Sequence, residues 1–255
     1  TVVGEFMKCG VRISKSELGD MFFYVIVNLI SVIACEFAFA SRKTMGITCV
    51  KDFVITYNYK IVPYMAMPVI MLLLISYFRR MYDDNRMVRY VNVRKFYLAV
   101  IAGGAVRIAA YVFITAIVVL TGGIISTHGI MNNWNEKNAM AQRVYGGYLT
   151  YTESVTVFAG VFITLIFIMF IIMELLLIIY RYVRSWIAGY FICMVVNLYM
   201  LIEQGNIRIL RAYITYRVYQ SGWEYRNLVY LVVLAAALLM VVLIMGKSDS
   251  LRRNR

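Results

Sequence analysis

Charge is scarce in this 255-residue chain: Asp, Glu, Lys and Arg make up 15% of it, against 62% hydrophobic residues. A soluble domain runs nearer a quarter charged, so an ordinary water-soluble fold is excluded and a polytopic membrane protein is implied. There is one histidine, His128, which rules out a multi-histidine metal site and any two-histidine relay. Proline is nearly absent, with only Pro63 and Pro68. The four cysteines, at 9, 35, 49 and 193, have neither metal-ligand spacing nor a paired framework and read as small apolar fillers. A nucleotide-binding loop is missing too: Gly246-Lys247-Ser248 ends like one, but Val241 stands where the upstream glycine is required. Ser126, Ser154 and Ser185 lack the glycine-flanked setting of a nucleophile, and Asp83-Asp84 lacks the further acids of a two-metal site. Catalysis by this chain is therefore not expected, and it carries no cofactor site of its own.

What is abundant is apolar sequence in long runs. A hydrocarbon core of about 30 Å needs about 20 apolar residues as a helix. Six runs, at residues 21–40, 61–78, 96–125, 155–180, 186–202 and 228–246, predict an all-α single domain with six transmembrane helices. Ala38-Phe39-Ala40 resembles a signal cleavage site, but the run before it is longer than a leader core and contains Glu36, so a retained first helix is expected. Pro63 suits an early helix turn, while Pro68 should bend the second span. Ala102-Gly103-Gly104-Ala105 would let a neighbouring helix approach closely.

The formal charge is +13, but the basic residues sit in short clusters at the ends of apolar runs. That dispersal argues for an anionic lipid surface and against nucleic acid. With both termini cytoplasmic, the inside segments hold fifteen Lys and Arg and the outside loops ten, which is the sense of the positive-inside rule.

Three groups of residues stand out. The first is the charged stub of residues 79–95, RRMYDDNRMVRYVNVRK, with Arg79, Arg80, Tyr82, Asp83, Asp84, Arg86 and Arg89. Helical spacing puts Tyr82, Arg86 and Arg89 on one side beside the two aspartates, a surface for a cytoplasmic partner. The second is Arg107 and Glu174, ionisable residues within the third and fourth runs. Each costs at least a few kcal/mol at membrane depth unless paired, so they are expected to pair, as a conduit element or as a staple between helices. Staples are the commoner use of such pairs. The third is residues 203–227, where Tyr213, Tyr216, Tyr219 and Trp223 alternate with Arg208, Arg211, Arg217 and Arg226. That pattern suits an outer interfacial hairpin, acting as an anchor or as a gate.

The mixed-charge start, six runs, the stub RMYDDNRMVRY and the aromatic hairpin resemble the ABC-2 type permease family, of the bacterial kind paired with a separate ATPase for peptide export or self-protection. The resemblance is architectural and covers nearly the whole chain. It implies a plasma-membrane subunit that exports an amphipathic peptide or lipid-like substrate. A coupling helix would lie within residues 79–95, and its partners would be a second permease copy or a similar permease, membrane lipids, and ATP-binding cassette subunits holding ATP and Mg. A membrane scaffold or sensor, and an ion-coupled carrier using Arg107 and Glu174, are the other readings.

Overall fold

The computed structural model describes residues 15–82, 93–145, 152–201, 213–216 and 224–253. Helix α1, Lys15–Lys43, begins with Glu17 in its first turn and ends with Arg42 and Lys43 in its last. These charges match the helix dipole at both ends. A continuous rod follows. It is α2 (Val50–Thr56), a π-helical stretch (Tyr57–Ala66) and α3 (Met67–Met81). Then come α4 (Val93–Ser126), the short α5 (Met140–Tyr145), α6 (Ser154–Val183), α7 (Trp186–Tyr199) and α8 (Glu224–Arg253).

Among the described residues, five helices are long and apolar enough to cross a membrane: Ser16–Lys43, Val50–Met81, Lys95–Ser126, Ser154–Val183 and Leu228–Met245. The expected span at 186–202 is different, because it is α-helical only over Trp186–Tyr199, 14 residues. At 1.5 Å per residue that is about 21 Å, short of the hydrocarbon thickness. The rod corrects a second expectation. Residues 41–60 lie between the first two apolar runs and so are expected to connect them, yet the helix starts at Val50 and buries Val50 through Asn58. Lys51, Asp52 and Asn58 looked like loop residues because their polarity is visible in the sequence and their partners are not.

The core is built by α6 and the rod. Ile70, Leu74 and Phe78 of the rod, Ile168, Ile172 and Leu176 of α6 and Val100 and Ile108 of α4 are all buried. Large apolar side chains elsewhere are exposed, such as Phe22 and Phe37 of α1, Phe113 of α4, Phe191 of α7 and Val233 of α8. In water such a shell would be a liability, and in lipid it is the solvated surface.

The bundle has two distinguishable ends. At one, Trp186 stacks on Tyr180 at 3.7 Å and meets Phe78 at 5.7 Å and Tyr82 at 5.8 Å. The tight turn there has Arg184 in the left-handed region (φ 57°) and Ser185 as N-cap, its Oγ accepting from the Ala188 N–H at 3.3 Å. At the other end, Ile47 and Ala139 form a bridge, with Ile47 N–H donating to Asn138 O at 2.9 Å. Tyr216 belongs to this second end, stacked on Tyr145 at 4.9 Å. Between Trp186 and Tyr216 the chain therefore changes ends.

This arrangement predicts the outcome of labelling with a membrane-impermeant maleimide in sealed vesicles. Met45→Cys and Arg184→Cys, both at exposed positions, should label from opposite sides. Native Cys49 should stay unlabelled at pH 8, since burial, with Asp52 beside it, pushes its thiol up to about 12 and the thiolate is the reactive form. Labelling of both engineered cysteines from one side would refute the arrangement.

Candidate functional site

Proline determines the local structure at the centre of the rod. In the π-helical stretch each N–H reaches the carbonyl five residues back, as Met67 N–H does to Val62 O. The next donor would be residue 68, reaching residue 63. Pro68 has no N–H, so the Pro63 carbonyl is left for another donor. Asn197 of α7 supplies it, its Nδ2 donating at 2.9 Å. The Asn197 Oδ1 in turn accepts from the Tyr213 hydroxyl, and Asn58 Nδ2 donates to the Ile214 carbonyl at 3.2 Å. Asn197, Asn58 and Tyr213 are all buried. The backbone around Ile214, which is not helical, is thus satisfied by a side chain of the rod. Irregular backbone is tolerated at membrane depth only under such cover.

One to two turns further along the rod lies a second polar node. Asp52, fully buried, accepts from the Cys49 N–H at 3.0 Å, the Cys49 thiol at 3.3 Å, the Trp134 indole N–H at 2.9 Å and the Tyr216 hydroxyl at 3.1 Å. The Cys49 contact is half of a capping box at the start of α2. Lys51, also buried, donates from Nζ to the Thr152 carbonyl at 2.8 Å and lies 3.9 Å from the centre of the Trp134 ring. Arg42 sits 5.1 Å over the Tyr216 ring. Together the two nodes form a polar seam along the rod, running from Pro63 to Asp52.

The expected site residues fall partly on this seam and partly elsewhere. Tyr213 and Tyr216 are buried within it, so neither is an interfacial ring. Their period-three spacing with arginines reads as interfacial, but each phenol has a buried acceptor, which satisfies it inside. Arg208, Arg211, Tyr219 and Trp223 lie outside the described residues, as do Asp83, Asp84, Arg86 and Arg89. Of the stub, Arg79 is exposed, whereas Arg80 is in an ion pair with Asp20 at 2.6 Å. Tyr82 is packed edge-on to Phe96 at 5.1 Å and Tyr180 at 5.2 Å.

The pairing of Arg107 with Glu174 is not made. Arg107 forms an ion pair with Glu17, donates to the Gly103 carbonyl at 2.8 Å and lies 3.8 Å over the Tyr77 ring. Tyr77 is four residues before the end of α3, so Arg107 sits about one turn inside that end of the bundle. Its partner is Glu17, which is alongside because α1 begins at Lys15. Glu174 is buried, and both its oxygens lack a hydrogen-bond partner among the described residues. Gly103 has its own part in this: a Cβ there would collide with the Tyr77 hydroxyl.

Sequence reasoning missed Glu17, Asp52 and Asn197. Asp52 had a local signal, since it lies three residues after Cys49 at a helix start. For Asn197 the signal was Pro68, which guarantees an orphan carbonyl without saying who fills it. Comparison with family models, with curated proteins and with solved structures returned no match.

The seam makes a specific mutational prediction. Asn197→Ala should cost about 1–3 kcal/mol, the penalty of a buried carbonyl left without a donor. In a Pro68→Ala background the loss should shrink, because residue 68 then has an N–H for the Pro63 carbonyl. Thermal unfolding of the four proteins in one detergent measures this, and equal losses in both backgrounds would exclude the proline explanation.

Proposed function

We propose that this chain is the membrane-embedded permease subunit of an ABC-2 type exporter, in the plasma membrane of a bacterium. The observation that carries the reading is the change of ends between Trp186 and Tyr216. If that change is a membrane crossing, the chain makes six passages, its fifth begun by α7 and not completed by it. An even number leaves both termini on one side, and the stub after the second long helix faces that same cytoplasmic side.

A chain without a nucleotide loop can follow ATP only through differential contact with a partner that binds it. The stub suits that role mechanically. Arg80 ties its base to α1 through Asp20, and Tyr82 ties it to the α6–α7 turn through Tyr180 and Trp186. A push on the stub would thus reach both halves of the bundle. The proposed contact surface for the ATPase is the exposed Arg79 together with Asp83, Asp84, Arg86 and Arg89 of the same stretch of sequence. The substrate is an amphipathic peptide or lipid-like molecule, and a second permease copy completes the pathway.

One observation favours a second reading, an ion-coupled carrier. The buried Glu174 carboxyl with both oxygens unpaired is a group that could carry a proton, because a carboxylate there would be desolvated without compensation. The same vesicles separate the two. Reversal of Asp83 and Asp84 to Lys should leave the protein inserted but reduce ATPase co-purification or uncouple ATP turnover from transport. Glu174→Gln should leave ATP-driven transport intact. Unchanged coupling in the first variant, with transport abolished by a protonophore and by Glu174→Gln, would replace the exporter by the carrier. A scaffold would give neither response.

A further inference from the structure

Helix α1 is polar on the side that it buries. Between Asp20 and Cys35 its polar residues are Tyr24, Asn28 and Ser31, spaced four and three apart and therefore on one face. All three are fully buried, whereas Phe22, Ile26, Ile33 and Phe37 of the same helix are exposed. Helix α4 runs parallel to this face and in register with it. Glu17 meets Arg107, the Tyr24 hydroxyl lies 2.8 Å from Thr115 Oγ1, and a Cβ on Gly122 would lie 2.6 Å from Val32 Cγ1. From Glu17 to Val32 the two helices therefore stay together for about 22 Å, at about 1.5 Å per residue. Tyr111 of α4 adds a ring against Tyr24 at 4.8 Å.

The polar groups pass from α1 to the rod. The Tyr57 hydroxyl donates to Asn28 Oδ1 at 3.0 Å, and Asn28 Nδ2 donates to the Tyr24 carbonyl at 2.9 Å. Tyr57 is followed by Asn58, which holds the Ile214 carbonyl, and by Tyr59, whose hydroxyl accepts from Arg42. An arginine thus stands at each end of the track. Arg107 is paired with Glu17 at one, and Arg42 lies over the Tyr59 ring at 5.6 Å and the Tyr216 ring at 5.1 Å at the other. Holding helices together does not demand such a track. Helix α6 is more deeply buried than α1 and packs with Val161, Leu165, Ile168 and Ile172, contacts that desolvate no polar group. Polar side chains strung through the interior of a membrane bundle are the mark of a pathway.

We propose that the track between α1, α4 and the rod is a pathway, occluded in this structure, for an uncharged hydrogen-bonding part of the substrate, with Arg107 and Arg42 closing its ends. Tyr24, Asn28, Ser31, Tyr57, Tyr111 and Thr115 offer hydroxyls and an amide but no charge. An ion among them would lose its hydration with no counter-charge opposite, whereas the amides of a peptide find donors and acceptors. Opening parts α1 from α4 and the rod. Groups that bond one another when closed and the substrate when open are satisfied in both states, as membrane depth requires. The assignment rests on the exporter reading and narrows its substrate from a lipid-like molecule to a peptide.

The test is thiol accessibility in native membrane sheets open on both faces, with and without ATP. In a cysteine-free background, Asn28→Cys and Ser31→Cys on the track are compared with Ile26→Cys and Ile33→Cys on the lipid side. The probes are a neutral hydroxyethyl and a cationic trimethylammonium methanethiosulfonate, each rate divided by that at the exposed Met45→Cys. With ATP, the neutral reagent should modify positions 28 and 31 about tenfold faster than 26 and 33, because a thiolate forms where water enters and not in lipid. It should also outpace the cationic reagent there. Track positions no faster than lipid-facing ones, with ATP and without, would overturn the pathway, and equal rates for the two reagents would overturn its uncharged chemistry. Track rates that ATP does not change would keep the pathway and contradict the exporter reading instead. Ser31→Cys, which exchanges a small hydroxyl for a thiol, decides the outcome if Asn28→Cys fails to fold.

Discussion

The carboxylate of Asp52 is the constraint on which this end of the molecule depends. A buried carboxylate is tolerable only where hydrogen bonds replace its lost hydration. It draws them from Cys49 at the start of the rod, Trp134 in the 127–139 loop and Tyr216 after α7. Three segments far apart in sequence are thereby held to one point. Trp134, so fixed, covers Lys51, and Lys51 reaches the Thr152 carbonyl just ahead of α6. The loops that close the bundle are ordered by this polar centre as much as by apolar contact.

The second constraint is the missing N–H of Pro68. A helix in lipid has no water to satisfy a freed carbonyl, so the rod must widen and recruit a side chain. The π-helical stretch and Asn197 are the two halves of that solution. Because Asn197 lies near the end of α7, the helix is anchored where it stops, and Tyr213 rejoins the same residue from beyond the stop. The discontinuity is therefore held by the proline rather than being an accident of a weak helix. Discontinuous helices with polar backbone facing a packed partner are where membrane transporters bind and move.

Much of the fold is legible in the sequence, because apolar length sets membrane helices almost alone. Residues 21–40, 96–125, 155–180 and 228–246 each fall inside an observed helix. The start of the rod is not legible, since Lys51, Asp52 and Asn58 are polar residues whose partners come from up to 164 positions away. The same distance hides the site. Arg107 and Glu174 were paired on depth alone, and depth cannot tell which face of a helix a residue occupies. Glu17 lay in a segment read as a preamble, although helix α1 begins at Lys15. Tyr213 and Tyr216 show the converse, where a pattern of rings and arginines has an interfacial look and a buried use.

The account rests on the chain changing ends between Trp186 and Tyr216, and cross-linking tests that most directly. In a background with the native cysteines replaced, cysteine pairs are placed at Tyr145 and Tyr216 and, separately, at Tyr82 and Tyr216, then oxidised in native membranes with molecular iodine, which permeates the bilayer and couples close thiols to a disulfide. The stacking of Tyr145 on Tyr216 predicts efficient cross-linking of the first pair and none of the second. Cross-linking of residue 82 to residue 216, without that of 145 to 216, would mean that the chain returns to the end it started from, and the polar seam would then not exist.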